Sequence, residues 1–316
     1  MIFDAPITLP LMLALVLVLD AAIGEPRWLW TRVPHPVVAM GGLISWLDQR
    51  LNKGAYKRVA GVGSLIILLL VTGAIAVGLS ALPHGWVIET VVGAILLAHR
   101  SLVSHVGAVS DGLGRNLEDG RTAVSMIVGR DPDALDMSGV SRAAIESAAE
   151  NFSDGVVAPA FWFLLAGLPG IALYKAINTA DSMIGYRTDR HLAFGWASAR
   201  LDDLVNLIPA RLTGFLFCLT GGGLRAAMVM WRDAGLHRSP NAGWPEAAMA
   251  ATLGIALSGP RAYPGQTPVD DPYIHPEGRR DLTADDVRRA VVLLWRAWGV
   301  MFLLASTAGA VVMFLG

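Results

Sequence analysis

The sequence predicts an all-α, polytopic integral membrane protein with about four to six membrane helices. Of its 316 residues, 54% are hydrophobic and only 16% are charged, whereas soluble domains carry about 25% charged residues. At least two apolar stretches reach the roughly 20 residues that a helix needs to cross the hydrocarbon core. Acidic, amide and arginine side chains collect at the ends of such stretches. We therefore expect a single membrane domain over residues 1–316, with broken or partly inserted helices around a polar site that faces the cytoplasm.

The individual membrane helices are predicted from the apolar stretches in chain order. The expected spans are 7–23, 59–82, 86–103 and 290–315. Asp4 precedes the first stretch without any Lys or Arg, so we expect a retained helix and not a cleaved signal peptide. Residues 156–177 and 204–222 are interrupted by Pro, by Gly or by Arg, and these two stretches are predicted to be broken or re-entrant.

The distribution of cations predicts the orientation. Residues 24–58 are rich in Arg and Lys and the link at 83–85 has neither, so the positive-inside rule places 24–58 in the cytoplasm. The other segments predicted to be mainly cytoplasmic are 99–155 and 223–285. The Pro- and Gly-rich stretch 258–280 predicts an irregular connector, and Thr283 with the acids that follow it predicts the start of the last helix. We expect a multi-pass protein of the cell (inner) membrane with its active face in the cytoplasm.

Charge and motifs exclude several classes of function. The net charge is −1, and no basic stripe with interleaved aromatic residues suggests a nucleic-acid partner. The sequence contains no phosphate-binding loop of the GxxxxGK[ST] type, no HExxH or Cys-rich metal spacing and no GxSxG elbow. Cys218, the single cysteine, lies in an apolar run, so we expect it to pack in the core. Any bound nucleotide would be held without a standard fingerprint.

The stretch IESAAENFSDGVVAPAFWF, which begins at Ile145, places acids at the edge of an apolar segment. Glu146 and Glu150 lie four residues apart and therefore share one face of a predicted helix. Like charges at this spacing repel each other in an isolated helix, so the pair becomes useful if a metal or an arginine sits between them. Residues 151–155 favour turns, and we expect them to break the helix and to aim Asp154 at the membrane surface. A solvated helix face followed by a turn would explain the same pattern.

Two later stretches repeat this mixture of acid, amide and arginine beside apolar segments. NTADSMIGYRTDRH begins at Asn178, and ARLDDLVNLIPAR begins at Ala199. Carboxylate and amide oxygens are the ligands that Mg²⁺ takes, and arginines hold phosphate or carboxylate groups. Ionisable residues within membrane segments are costly and usually functional. Together the clusters predict a polar, Mg²⁺-binding site at the membrane interface.

Long motifs follow one another over nearly the whole chain, most densely from Ser125 to Gly254. They read DAAIGEP (20–26), PHPVVAMG (34–41), SMIVGRD (125–131), AAENFSDGVVAP (148–159), YKAINTADSMIGYR (174–187), FGWASARLDDLVNLIPAR (194–211) and RDAGLHRSPNAGWPEAAMAATLG (232–254). In this order they resemble the CobD or CbiB family of cobalamin biosynthesis, the adenosylcobinamide-phosphate synthases. The stretch after Gly265 is only loosely patterned and contributes nothing to the resemblance.

The resemblance implies a membrane-bound acid–amine ligase that uses ATP and Mg²⁺. Such an enzyme would join a carboxylate of the corrinoid adenosylcobyric acid to the amine of (R)-1-amino-2-propanol or of its O-phosphate, giving adenosylcobinamide or its phosphate. Phosphorylation by ATP would turn the carboxylate into an acyl donor, and a base would take the proton of the ammonium group. Membrane lipid and downstream enzymes of cobalamin synthesis are the other expected partners.

The resemblance and the clusters assign residues to three roles. The expected catalytic residues are Glu146, Glu150, Asp154 and Lys175, with Glu150 or Asp154 as the base. The expected metal ligands are Asp181, Asp202 and Asp203. The expected substrate-binding residues are His35, Asn151, Asn178, Ser182, Tyr186, Arg187, Arg211, Ser239 and Asn241, with Arg187 and Arg211 on phosphate or carboxylate groups. For His35, a structural hydrogen bond to the backbone is at least as good an explanation.

Two other functions stay open on chemistry alone. A Mg²⁺-dependent intramembrane transferase acting on a diphosphate or prenyl donor would use the same clusters, consume no ATP and open sideways to lipid. A non-catalytic corrinoid-binding membrane protein, either a transporter or a scaffold, would bind its ligand without forming a product. A ligase, by contrast, should show a wide cytoplasmic cavity.

Overall fold

The computed structural model describes residues 8–25, 30–129, 132–260 and 271–315, most of which are helical. Within these ranges, the helices that precede the first π-helical turn are α1 (Leu9–Ile23), α2 (Pro36–Leu51), α3 (Lys57–Ser80), α4 (Gly85–Leu96), α5 (His99–Arg115), α6 (Leu117–Val124) and α7 (Met137–Phe152). A π-helical turn (Ser153–Val157) leads from α7 into α8 (Ala158–Ile184). The remaining elements are α9 (Trp196–Val205), α10 (Leu207–Phe217), a π-helical turn (Cys218–Gly222), α11 (Gly223–Asp233), a 3₁₀ turn (Ala234–Leu236), α12 (Gly243–Leu253), β1 (Leu257–Ser258), β2 (Tyr273–Ile274) and α13 (Ala284–Leu315).

Five helical stretches in the described part of the chain are long and apolar enough to cross a membrane. They are Lys57–Ser80, Gly85–Arg115, Met137–Ile184, Leu207–Leu236 and Ala284–Leu315, and α1 is a shorter apolar helix. The predicted fold class, an all-α multi-pass membrane protein, is therefore confirmed.

The chain divides into two compact units. Unit 1 comprises Met1–Ala98, Ala158–Asn206 and Phe302–Gly316. Its core is formed by apolar side chains of α2, α3 and α8 together with Phe194, which is 1% exposed. Gly61 of α3 lies directly against the backbone of Phe194, where a Cβ would collide with the carbonyl oxygen. Glycine is therefore needed at this position for the close approach.

Helix α8 is interrupted within unit 1. Ala166 and Gly167 leave helical geometry, Gly167 has a φ of +58°, and Pro169 follows. The freed N–H of Leu168 donates to Oε2 of Glu89 at 3.0 Å. Glu89 is the lone charged residue in the apolar sequence of α4, so its carboxylate satisfies a donor that the broken helix would otherwise leave exposed to an apolar environment.

Unit 2 comprises His99–Val157 and Leu207–Met301. Aromatic side chains fill part of its core: Phe152 packs on Phe217 at 5.4 Å between ring centroids, and Trp295 contacts the ring of His99 at 4.5 Å. Cys218 is buried, which confirms its predicted place in the core. The predicted break at residues 151–155 is wrong, because the chain stays helical there and accommodates the Ser-Asp-Gly sequence as a π-helical turn.

The segment between α12 and α13 also differs in part from its prediction as an irregular connector. Leu257 pairs with Ile274 in the antiparallel β1–β2 pair, and Ile255 forms a separate bridge with Arg279. Strands of two residues carry no periodic sequence signal, and residues 261–270 between them lie outside the described part. The predicted start of the last helix is confirmed, since α13 begins at Ala284.

Candidate active site

An acid-lined cavity of about 290 Å³ lies in unit 2. Its walls are formed by Ile127, Val128, Gly129, Ala143, Glu146, Ser147, Glu150, Asn151, His237 and Glu246. One wall is a single face of α7. Glu146 and Ser147 lie four positions before Glu150 and Asn151, and residues at this spacing are neighbours on the helix surface. Two of the predicted catalytic residues, Glu146 and Glu150, thus line one cavity together with the predicted substrate-binding residue Asn151.

The two glutamates of α7 lie in different environments. Glu146 is 6% exposed, and its Oε1 accepts a hydrogen bond from the backbone N–H of Ser258 at 2.7 Å. Glu150 is exposed. The amide of Asn151 donates to the backbone oxygen of Ser147 at 2.9 Å, which fixes that side chain along the helix. Glu146 is therefore a fixed, buried carboxylate, and Glu150 is the more accessible one.

His237 and Glu246 form the opposite polar wall. The backbone N–H of Ser239 donates to Nδ1 of His237 at 3.0 Å, so in the neutral ring the proton is on Nε2. That Nε2 lies 3.6 Å from Oε1 of Glu246. Glu246 is 2% exposed and occupies the first turn of α12, where the helix dipole favours a negative charge.

The stretch before α12 is shaped by its own polar groups. The hydroxyl of Ser239 accepts hydrogen bonds from the backbone N–H groups of Asn241 and Ala242, both at 3.2 Å. Asn241 is buried. The structure thus shows Ser239 in a turn-forming role, and the substrate-binding role of Ser239 and Asn241 stays a prediction.

The cavity is lined by three glutamates and a histidine. Carboxylate oxygens attract positively charged groups, so the lining has the chemistry that suits a cation. An organic ammonium group fits such a lining through charge-assisted hydrogen bonds to carboxylate oxygens. Carboxylate and imidazole groups can also accept its proton.

A second polar group of residues lies in unit 1, between α8 and α9. Tyr174 donates from its hydroxyl to Oδ1 of Asn206 at 3.0 Å, and the amide of Asn206 donates to Oδ2 of Asp202 at 3.0 Å. The amide of Asn178 donates to Oδ1 of Asp202 at 3.2 Å. Burial raises the pKa of Asp202, with the neighbouring charge of Asp203 acting in the same direction, and the two amide hydrogen bonds offset only part of this effect.

The other predicted residues of this region are arranged along the chain as follows. Asp203 lies 3.6 Å from Arg200 in an ion pair on α9, and the backbone oxygen of Asp181 accepts from the N–H of Gly185 at 2.7 Å. Ser182 donates from its hydroxyl to the backbone oxygen of Thr179 at 3.0 Å. Tyr186 and Arg187 are exposed beyond the end of α8.

The predicted metal ligands have suitable chemistry for Mg²⁺. In the described ranges, no group of three or more His, Cys, Asp or Glu side chains is arranged to hold a metal ion. Mg²⁺ is usually held by one or two carboxylates with water and substrate phosphate, so a complete protein cage is not required. Each oxygen of Asp202 accepts one amide hydrogen bond and keeps a lone pair. The assignment of Asp181, Asp202 and Asp203 stays a prediction.

His35 and Lys175 line a second cavity, of about 380 Å³, within unit 1. His35 is the N-cap of α2, and its Nδ1 accepts from the backbone N–H of Val37 at 3.2 Å. The backbone hydrogen bond expected for His35 is thus confirmed. The cavity also brings this ring near Lys175, a predicted catalytic residue from a distant part of the sequence.

The remaining predicted residues lie elsewhere. The guanidinium of Arg211 stacks over the ring of Trp244 at 4.5 Å and donates to the backbone oxygen of Leu207 at 2.7 Å. Asp154 lies in the π-helical turn after α7. The roles of Arg211 and Asp154 stay predictions.

Several residues of these sites were not among the site residues predicted from the sequence. They are His237, Glu246, Tyr174, Trp30 and Glu25. All but Trp30 lie within the motifs quoted above. Glu246 could have been noticed in the sequence as an acid in the first turn of a helix. The position of His237 beside it depends on a contact between separate elements.

Comparison with known proteins identifies relatives over nearly the full length. Residues 13–294 match the sequence profile of the family described as CobD/Cbib protein. The chain is 52% identical over 303 residues to the cobalamin biosynthesis protein CobD of Sinorhizobium fredii, covering 91% of this chain and 93% of that protein. Its identity to the protein of the same name from Brucella suis is 50% over 323 aligned residues, covering 97% and 98% of the two chains. The Rhodobacter capsulatus protein is 50% identical over 302 residues, covering 92% and 95%. No solved structure matches the chain.

Proposed function

Since this chain belongs to the CobD/CbiB family of cobalamin biosynthesis proteins, we propose that it is an ATP-dependent acid–amine ligase acting on a corrinoid. The reaction joins a carboxylate of adenosylcobyric acid to the amine of (R)-1-amino-2-propanol or its O-phosphate. A C–N bond forms, and the products are adenosylcobinamide or its phosphate, ADP and inorganic phosphate. The enzyme would work in the cell (inner) membrane with its active face in the cytoplasm.

The acid-lined cavity of unit 2 is the observation that carries this proposal. Amide formation needs a free amine, whereas an aliphatic amine is protonated at neutral pH. The cavity offers carboxylates that attract the ammonium form and can accept its proton. Glu146 and Glu246 are buried and would hold the positive charge, while the exposed Glu150 would take the proton.

Bound ATP would supply the phosphoryl group that turns the carboxylate into an acyl donor. We assign Asp181, Asp202 and Asp203 to Mg²⁺, which would offset the negative charge of the phosphates. Arg187 and Arg211 are assigned to phosphate or carboxylate groups. Lys175 and Asp154 are retained as further catalytic candidates. Asn151, Asn178, Ser182, Tyr186, Ser239 and Asn241 are retained as substrate-binding candidates.

The test is a turnover assay on the detergent-purified protein. Adenosylcobyric acid, ATP and Mg²⁺ would be incubated with aminopropanol in one arm and with aminopropanol phosphate in another, and mass spectrometry would follow the corrinoid. We expect a mass gain equal to the amide in at least one arm, lost when ATP is omitted. The arm with the higher kcat/KM identifies the amine substrate.

Two variants connect the assay to the cavity. Glu150→Gln keeps the shape of the side chain but removes its basicity, and we expect kcat to fall by about 10²–10⁴-fold, the typical contribution of a general base. Glu118→Gln is the matched control, because that carboxylate is 75% exposed on α6 and does not line the cavity. Corrinoid binding without product in wild-type protein would favour a binding protein, and turnover of a lipid diphosphate without ATP would favour the transferase.

A further inference from the structure

The second cavity, within unit 1, combines apolar walls with polar groups of a particular kind. Its lining residues are Glu25, Trp30, His35, Val37, Val38, Ile95, Leu96, Leu97, Ala98 and Lys175. Its volume of about 380 Å³ falls within the range of small-molecule sites, which are typically apolar with a few placed polar groups. The polar groups therefore indicate which ligand would fit.

Two N–H donors in this lining are buried, and neither makes a well-formed hydrogen bond with the described residues. One is Nε2 of His35, whose ring interacts with the backbone of Ile95, and the other is Nε1 of Trp30. Because Val37 donates to Nδ1 of His35, the neutral imidazole carries its proton on Nε2. The indole nitrogen of Trp30 is always a donor. The rings contact each other edge to face, with centroids 4.5 Å apart, so the two donors belong to one local group.

Buried donors without partners are rare in folded proteins, because each one loses its hydrogen bonds to water. Burial lowers the pKa of His35 and outweighs the opposing effects of the charge of Glu25 and of a hydrogen bond with the backbone of Ile95, while the charge of Lys175 acts in the same direction as burial. His35 is therefore a neutral donor at neutral pH and does not add a positive charge to the cavity.

The charged residues of the cavity restrict the chemical class of ligand that would fit. Among the described lining residues, Lys175 contributes one positive charge and Glu25 one negative charge. These two groups together would not compensate a phosphate dianion. A carbonyl-type oxygen fits better, because it accepts from the neutral donors, and a carboxamide would also donate to Glu25. Apolar walls suit the short aliphatic chain that carries such a group.

We infer that this cavity binds a short aliphatic carboxamide or carboxylate arm, with the N–H groups of Trp30 and His35 donating to its carbonyl-type oxygen. The inference rests on the proposed function in one respect: the arm would belong to the corrinoid substrate. Trp30 and His35 are then substrate-positioning residues of unit 1.

The experiment uses the full-length protein in detergent, labelled with ¹⁵N-tryptophan. The indole N–H resonance of Trp30 is assigned by its loss in Trp30→Phe, and Trp46→Phe is the matched control on the exposed face of α2. Propionamide, propionate and glycerol 3-phosphate are added separately as small probes. We expect propionamide or propionate to shift the Trp30 resonance downfield, while glycerol 3-phosphate leaves it in place. A shift with glycerol 3-phosphate alone would overturn the inference in favour of a phosphate or lipid headgroup.

Corrinoid binding and turnover are measured on the same proteins. Trp30→Phe and His35→Asn should each raise the Kd for adenosylcobyric acid by about 5- to 10-fold, the effect of losing one hydrogen bond. Asn keeps an acceptor at the N-cap of α2 but removes the donor from the cavity. Trp46→Phe should bind like wild type. Normal binding and turnover in both cavity variants, with an unmoved Trp30 resonance, would refute the inference and leave the ligase intact. A shift with the small probes but no corrinoid turnover would refute the ligase and support the carbonyl site.

Discussion

The contact between Glu89 and the interrupted helix α8 gives the sharpest stability prediction. Replacing Glu89 by Leu removes the acceptor of the Leu168 N–H, which the structure places 3.0 Å from Oε2. Ala166 and Gly167 leave helical geometry just before this N–H, so the carboxylate of Glu89 takes the place of a regular helical acceptor. We expect the variant to keep its fold and to lose stability.

The magnitude follows from the type of hydrogen bond. A hydrogen bond to a charged group contributes about 1.5–3 kcal/mol, and a neutral one about 0.5–1.5 kcal/mol. Glu89→Leu should therefore lower the free energy of unfolding by about 2–3 kcal/mol, because the N–H is left without a partner in an apolar setting. Glu89→Gln keeps an oxygen acceptor without the charge and should lose only about 1 kcal/mol.

The assay is an SDS titration of the purified protein in mixed micelles, followed by tryptophan fluorescence. A double-mutant cycle with Gly167→Ala localises the effect. Alanine there is strained by the φ of +58°, and its Cβ would collide with Oε2 of Glu89. The collision disappears in the Leu variant, so the combined loss should be smaller than the sum of the two single losses. Glu89→Leu within about 0.5 kcal/mol of wild type, or strict additivity with Gly167→Ala, would refute the reasoning.

Two further predictions concern packing and pH. Gly61→Ala should lower the free energy of unfolding by about 3 kcal/mol or more, because the added Cβ collides with the backbone of Phe194 and no rotamer can relieve this. Gly63→Ala is the control, because the space around Gly63 on the same helix is open. It should keep the wild-type SDS midpoint or raise it. Burial alone would raise the pKa of Asp48, but hydrogen bonds, chiefly from its neighbours Asn52 and Arg190, and the charge of Arg190 outweigh burial and lower it. The stability that this lowered pKa contributes is fully present above the unfolded-state pKa of about 3.9 and is lost as pH falls through the folded-state pKa. Asp48→Asn should therefore make the loss of stability at acid pH less steep. An unchanged dependence of stability on acid pH would contradict this.

The sequence predicted those features that depend on local pattern. Apolar length predicted a polytopic helical protein, and the acids after Thr283 predicted where the last helix begins. Helical spacing also placed Glu146 and Glu150 on one face of α7, where both line one cavity. Such features follow from residues within a few positions of each other, so a single chain without an alignment is enough to derive them.

Features that depend on contacts between distant residues could not be predicted in the same way. The approach of His237 to Glu246 joins a loop to the first turn of α12, and the pairing of Leu257 with Ile274 has no periodic signal. The predicted break after α7 failed for a different reason. Turn-forming residues such as Asp154 can be absorbed in a π-helical turn when the surrounding apolar sequence favours helix on both sides.

The acids of the membrane segments show why the rarity of a charge is not by itself evidence of catalysis. Glu89 is more isolated in sequence than Glu150, which has Glu146 and Asp154 four residues away on either side. The carboxylate of Glu89 accepts a backbone N–H at a helix break, and it is absent from the lining of both described cavities. Where a helix is interrupted within an apolar region, its free backbone groups need a polar partner, so a polar side chain can be required there without any substrate. Glu150 borders a cavity whose volume suffices for a small ligand. The cavity beside Glu150 distinguishes it from Glu89. We therefore expect substitution of Glu89 mainly to lower stability, and substitution of Glu150 mainly to lower turnover.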